Sequence, residues 1–274
     1  MGLAEGSRRL TERKLSYHAL ALPICRVEQE QQENYRIKGE ILGTCFAIGN
    51  THLITAAHVI SDLTAIQSNA GVMLLNPEGQ SFHIAPIIAT EILHADIGIL
   101  QIEPKQGKLW FGRARWRGTP LSEFERIRAF GYPYGLHTVG DRQQIVLRSF
   151  EGHTVVHLRE YLPLGMSGDP FSVYELSFAT PRGLSGAPLC TFTGNNVRVH
   201  GVVIGNSQSS MLVFQSSEKS TEKDGERTET TIVERYESLS LGIAVDMLTI
   251  KELKSGLLGS TVGAFLTTNE LLTP

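Results

Sequence analysis

Pro181-Arg182-Gly183-Leu184-Ser185-Gly186-Ala187-Pro188-Leu189 places a serine inside a glycine-flanked turn that leads into an apolar strand. The glycines let the backbone turn tightly enough to aim N–H groups at a developing oxyanion, with a small hydroxyl side chain beside them. Gly and Ser are the ordinary residues of any tight turn, so the stretch is weak alone. Two others strengthen it. Thr55-Ala56-Ala57-His58 lies far upstream, and His94-Ala95-Asp96-Ile97-Gly98-Ile99-Leu100 lies between the two, so the candidates run in the order His, Asp, Ser.

That order discriminates among folds that use such a trio. The α/β-hydrolases run Ser, acid, His, and the subtilisin type runs Asp, His, Ser. Only His200 follows Ser185, and Ala187 replaces the last glycine of the G-x-S-x-G pattern, so an α/β-hydrolase reading fails twice.

Taken together the motifs resemble the chymotrypsin-like (trypsin-like) serine protease family. Gly43-Thr44-Cys45-Phe46-Ala47-Ile48 and Leu53-Ile54-Thr55-Ala56-Ala57-His58-Val59 are similar to its bacterial Deg/HtrA branch. Further matches are Phe130-Gly131-Tyr132-Pro133, Gly201-Val202-Val203-Ile204-Gly205 and Gly242-Ile243-Ala244-Val245. The resemblance spans roughly residues 20 to 255.

Short runs rich in Ile, Val, Leu and Phe, separated by turn residues such as Asn76-Pro77-Glu78-Gly79, indicate an all-β protein. The resemblance implies two six-stranded antiparallel β-barrels with the active site in the cleft between them, followed by a short C-terminal helix. We expect an N-terminal extension at 1–19, a first barrel at 20–108, a connection at 109–119, a second barrel with its helix at 120–255, and a tail at 256–274. The helix begins near Val245-Asp246-Met247-Leu248, with Asp246 suited to cap it. A second module of the peptide-binding kind common in Deg-type enzymes is not expected.

Residues 207–240 read as an insertion. Its centre, Glu218 to Glu229, holds five acids and three bases and no hydrophobic residue, a composition that cannot bury enough apolar surface to order itself. The flanks Met211-Leu212-Val213-Phe214 and Thr231-Ile232-Val233 read as strands, which predicts a β-hairpin with a mobile tip. It serves either as solvated decoration or as a lid or docking arm for a regulatory protein partner.

Amide hydrolysis needs a stronger nucleophile than a serine hydroxyl at neutral pH, and a neighbouring imidazole supplies it by taking the proton. His58 is the candidate base, because histidine titrates near neutrality. Asp96 is the candidate orienting acid, and the apolar run after it puts the carboxylate at the start of a buried strand. Asp62 is too local to His58 for that role, and His94 reads as a rim residue. Gly165-Met166-Ser167-Gly168 repeats the G-x-S-G pattern, but the family's glycine-started strand follows Ser185 at Gly201, whereas the same count from Ser167 ends in a turn. Ser185 is therefore the candidate nucleophile, with the N–H groups of Gly183 and Ser185 as oxyanion donors. Leu184 stands where zymogen-activated relatives carry an aspartate, so activation through that ion pair is not expected.

By the same resemblance the substrate pocket has Ala179 and Thr180 on its floor and Val203, Ile204, Asn206 and Gly242 in its walls. No carboxylate stands at the floor, which argues against Arg or Lys in the pocket. Thr180 is like the threonine that viral relatives use to read Gln or Glu, but Val203 stands near the place of their facing histidine.

The chain has 274 residues, 41% of them hydrophobic, enough for a sizeable core. A net charge of −3 gives no footprint for nucleic acid or an anionic membrane. Lys108-Leu109-Trp110-Phe111-Gly112-Arg113-Ala114-Arg115-Trp116-Arg117 mixes four cations with three aromatics, and reads as a connecting strand with packed tryptophans and solvated arginines. Cys25, Cys45 and Cys190 cannot form a paired framework, and Val59 replaces the cysteine that secreted relatives carry after the catalytic histidine. With no convincing signal peptide and no run of membrane-spanning length, the expectation is a cytoplasmic protein. His153 and His157 are four apart on a strand-like stretch, about 13 Å end to end with no further ligand, so neither a metal nor another cofactor is expected. The expected activity is serine endopeptidase action on a protein or peptide, active at once or latent until a partner binds. The competing reading is a protease-like docking scaffold.

Overall fold

In a computed structural model, the described residues are 20–31, 34–65, 70–75, 82–103, 113–134, 136–139, 142–163, 168–193, 196–221 and 228–273. The first closed barrel contains β1 (Leu22–Gln31), β2 (Asn34–Ala47), β3 (His52–Ala56), β4 (Ala70–Leu75), β5 (Phe82–Ile92) and β6 (Ile97–Ile102), ordered β1-β2-β3-β6-β5-β4. Helix α1 (Ala57–Ala65) follows β3 directly. Strands β3 and β6 are buried without alternation from Leu53 to Ala56 and from Ile97 to Leu100, because both of their faces are covered. Gly98 lets α1 lie against β6, since a Cβ there would meet the Ile60 side chain at 2.4 Å.

The connection carries β7 (Arg115–Arg117), in which Trp116 is fully buried against Phe46 and the two arginines are exposed. Residues 104–112, with Trp110, lie outside the described residues. Next come β8 (Arg126–Gly131), a small pair of β9 (Leu136–Val139) with β10 (Arg142–Ile145), then β11 (Arg148–Tyr161), β12 (Phe171–Leu176), β13 (Pro188–Thr193), β14 (Asn196–Thr221) and β15 (Thr228–Asp246). The order β13-β8-β11-β12-β15-β14 closes into a second six-stranded antiparallel barrel through the β13–β14 pairing. The predicted architecture, two such barrels, is the one observed. Its second interior is filled by Ile127, Tyr174, Leu176, Leu184, Leu189 and Val203.

Asp246 caps helix α2 (Met247–Glu252) by accepting the Thr249 N–H at 2.8 Å. After β16 (Lys254–Ser255), the stretch expected as a tail at 256–274 carries β17 (Ser260–Thr261), α3 (Val262–Thr268) and β18 (Leu272–Thr273). Its few apolar residues account for this: Val262 and Leu266 are fully buried, Thr261 caps α3, and β18 pairs in parallel with β7. The Glu91 carboxylate of β5 accepts from Ser255 Oγ and from the Gly256 and Leu257 N–H groups, tying the segment to the first barrel.

Past Asn206 and Gly242, β14 and β15 pair only with each other among the described residues. The ladder continues to Thr221 opposite Thr228, roughly 50 Å of two-stranded ribbon at the usual rise per residue. The two ends of the charged centre, residues 218–221 and 228–229, thus lie in paired strands despite their composition. Backbone pairing carries the strands through this stretch. Residues 222–227, the expected mobile tip, lie outside the described residues.

Cys25, Cys45 and Cys190 are buried free thiols. Burial pushes the Cys25 thiol up to about 12 and raises the other two well above the ordinary thiol range. Among the described residues no helix is long and apolar enough to cross a membrane.

Candidate active site

His58 is the second residue of α1, where a helix leaves backbone N–H groups without intrahelical partners. Ala56 before the helix offers no side chain to cap them. Asp96 does so from just before the neighbouring β6: its carbonyl accepts the Ala57 N–H at 2.8 Å and its Oδ1 accepts the His58 N–H at 2.9 Å. Its second oxygen, Oδ2, lies 2.7 Å from His58 Nδ1. One carboxylate thus fixes both the backbone and the ring of one histidine. The turn before β6 makes this reach possible by holding Ala95 and Asp96 at φ of 61° and 56°, a left-handed pair that non-glycine residues adopt only when their surroundings impose it.

The His58 pKa is raised above the ordinary imidazole value. Burial, the largest influence, pushes it down, but the Asp96 hydrogen bond, the Asp96 charge and the more distant Asp62 charge together outweigh burial. His94, expected at the rim, is exposed and stands edge-on to Phe171 of the second barrel at 5.5 Å.

Ser185 lies on the other barrel, in the turn before β13, and is half-buried. Every carbonyl from Arg182 to Ser185 is held. Arg182 O accepts the Tyr134 N–H at 3.2 Å, Gly183 O the Thr44 hydroxyl at 2.8 Å, Leu184 O the Ala187 N–H at 2.9 Å, and Ser185 O the Thr44 N–H at 2.9 Å. Of the N–H groups, Leu184 donates to Pro181 O at 3.0 Å and Gly186 to Val203 O at 2.7 Å. The Gly183 and Ser185 N–H groups donate to nothing among the described residues. Gly183 has φ of 93°, and a Cβ would lie 2.6 Å from Tyr132 O, so only glycine fits. Leu184 is fully buried in the second core.

The two halves meet at Gly43. A Cβ there would lie 2.7 Å from Val59, the residue after His58, and 3.1 Å from Ser185 O. The Ser185 hydroxyl makes no hydrogen bond to His58 or to any other described residue. Ser167 lies outside the described residues.

Of the expected pocket residues, Thr180, Asn206 and Gly242 come together. Asn206 Oδ1 accepts the Thr180 N–H at 2.6 Å, Asn206 Nδ2 donates to Thr180 O at 2.8 Å, and the Gly242 N–H donates to Phe178 O at 2.8 Å beside them. Ala179 is exposed, Ile204 is buried, and Val203 packs wholly inside the barrel core.

The two strand histidines go separate ways. A β-bulge between Thr154 and Val156 breaks the alternation that would have put them on one face. His153 turns to Phe124, and His157 stacks on Tyr174 with Nε2 2.7 Å from the buried Asp246. Among the described residues there is no group of three or more His, Cys, Asp or Glu able to hold a metal.

Sequence reasoning missed Thr44, although it lies inside a quoted motif, because its role is a contact between barrels. It also missed the Asn206 amide bonding to both backbone groups of Thr180.

Comparison with two solved forms of one protease shows the same fold. The Rv3671c protease in its inactive form is 17% identical with a TM-score of 0.50, over 89% of this chain and 90% of that one. Its active form, from M. tuberculosis, is 18% identical with a TM-score of 0.50, over 89% and 80%. The MamO protease domain from Magnetospirillum magneticum is 14% identical over 85% and 96%, with a TM-score of 0.48. No curated protein matches the sequence. Residues 43–202, more than half of the chain, match the trypsin-like peptidase domain, and the chain belongs to that family.

Proposed function

We propose that the chain is a serine endopeptidase in which Ser185 attacks, His58 moves the proton and Asp96 holds the imidazole. The observation that carries this reading is the Asp96 carboxylate bound to both the ring and the backbone N–H of His58. With Nδ1 donating to Asp96, Nε2 is the nitrogen left to accept a proton.

In the first half-reaction Ser185 Oγ bonds to the carbonyl carbon of the substrate as His58 Nε2 takes the hydroxyl proton. The carbonyl electron pair moves onto oxygen, where the unspent Gly183 and Ser185 N–H groups donate to it, each worth on the order of 3 kcal/mol in such sites. Collapse breaks the C–N bond, the amine leaves with the proton from His58, and an ester remains on Ser185. Water repeats the sequence to release the acid.

The competing reading, a latent enzyme or docking scaffold, draws on the missing Ser185–His58 hydrogen bond, although such bonds commonly tighten only when substrate arrives. The three free thiols support an intracellular, reducing setting. A fluorophosphonate probe separates the readings. Labelling of the wild type that is lost in Ser185→Ala and kept in Ser167→Ala supports the enzyme. Loss in Ser167→Ala with Ser185→Ala still labelled reverses the assignment, and a silent wild type favours latency or scaffolding.

A further inference from the structure

Two peptide planes connect a half-buried cation to the oxyanion loop. Arg148, at the start of β11, donates from Nη1 to Pro133 O at 2.6 Å, and its guanidinium lies over the Tyr134 ring at 5.2 Å. Tyr134 is 65% exposed and has φ of 66°, a left-handed backbone disfavoured for a bulky residue, so its conformation is imposed by what surrounds it. Among the described residues no peptide is cis, and in a trans peptide the C=O and the following N–H point in opposite directions. With Pro133 O drawn toward Arg148, the Tyr134 N–H points the other way, and there it meets Arg182 O at 3.2 Å. With Arg182 O drawn toward Tyr134, the Gly183 N–H in turn points away from the turn, unspent.

We infer that Arg148 is a positioning residue of the oxyanion hole, acting through the Pro133–Tyr134 and Arg182–Gly183 peptides to aim the Gly183 N–H. The inference rests on the assignment of Ser185 as nucleophile. A cation at the head of two aligned peptide dipoles also polarises each N–H along the chain, so its charge reaches the developing oxyanion without a direct contact. Thr44 holds the next carbonyl from the first barrel, so the loop is gripped from two sides and the Arg182–Gly183 peptide is the part gripped by Arg148.

The test follows the rate of fluorophosphonate labelling against probe concentration, which separates probe affinity from the bond-forming rate. The phosphonyl oxygen takes the place of the oxyanion. For Arg148→Ala the bond-forming rate is expected to fall about tenfold to a hundredfold with affinity changed less than about twofold, short of the loss seen when a donor itself is removed. Arg148→Lys, which keeps a charge and a donor for Pro133 O, restores part of that rate, while a purely structural defect would track the melting temperature of each variant instead. An Arg148→Ala enzyme that labels at the wild-type rate, or loses affinity alone, overturns the inference. So does an Arg148→Lys rate no better than that of Arg148→Ala at equal melting temperature. A wild type that does not label at Ser185 is a separate failure, that of the nucleophile assignment.

Discussion

The Thr44 hydroxyl donates to the Gly183 carbonyl at 2.8 Å, so a strand of the first barrel sets the peptide geometry of a loop on the second. The same oxygen accepts the Tyr132 N–H at 3.2 Å, and Thr44 O accepts the hydroxyl of Thr55, three residues before His58, at 2.7 Å. The candidate base and nucleophile stand on different barrels. Thr44 is bonded to the strand that precedes one and the loop that carries the other, which makes their spacing a property of a single side chain and its backbone.

Thr44→Val keeps the branched shape and removes the hydroxyl, leaving the Gly183 carbonyl and the Tyr132 N–H without this partner in a buried setting. The expected cost is about 1–3 kcal/mol of stability, read by chemical denaturation. Turnover should fall more than KM rises, because the loop loses aim rather than substrate surface, and Thr44→Ser should recover both. Full turnover in Thr44→Val would show that the loop holds itself.

Catalysis through His58 requires its neutral form, so activity is lost as pH falls through its pKa. That pKa is raised, which puts the acid limb of the kcat/KM profile above 6.5. Asp96→Asn removes the two Asp96 effects that raise it, and burial then moves the limb to lower pH. Turnover at neutral pH should drop by about ten-thousandfold as the tautomer is lost. An unshifted limb in the variant would remove Asp96 from the role.

The double barrel was legible in the sequence because Thr55-Ala56-Ala57-His58, Asp96-Ile97-Gly98 and Gly183-Leu184-Ser185 are local motifs whose neighbours are apolar strands. The contacts that aim the loop were not legible. Thr44 to Gly183 spans 139 residues, and the path from Arg148 to the loop runs through two backbone carbonyls, which carry no side-chain signature. The end of the chain was misread for a different reason. Val262, Leu266 and Leu271 are too few to show a helical period, yet each is buried as part of the main hydrophobic core.

His200 is fully buried and bonded at Nε2 to the Thr191 hydroxyl at 2.8 Å. Burial, aided by the Arg117 charge, pushes its pKa down to about 4. Between that value and the ordinary 6.5 the unfolded chain binds more protons, so the contribution of His200 to stability is complete above 6.5 and declines as pH falls toward 4. The full amplitude is roughly 3 kcal/mol. Denaturation of wild type and His200→Gln at pH 7.5 and pH 4.5 isolates it, because all carboxylates are common to both. The gap between the two proteins should shrink or reverse at the lower pH. A constant gap would rule out His200 as an acid-labile point.

At Thr180, the expected pocket floor, the polar groups are engaged within the protein. Thr180 spends its N–H and carbonyl on the Asn206 amide, and its hydroxyl lies 2.6 Å from Gly205 O. Its methyl faces Gly242, where a Cβ would lie 2.7 Å from it. A lysine or arginine entering here would lose hydration without gaining a counter-charge, a cost larger than the roughly 1–3 kcal/mol that one methylene contributes to discrimination. The Asn206 side chain thus ties the expected wall to the expected floor. We therefore expect cleavage after small to medium uncharged apolar residues, measured with a peptide library. Asn206→Gly removes this tie and should extend the profile toward larger apolar residues, by about tenfold or more in relative kcat/KM. A wild-type profile dominated by Arg or Lys would refute this pocket. One dominated by Gln or Glu would mean that the Thr180 hydroxyl turns from Gly205 to the substrate, and Thr180→Val should then abolish that preference.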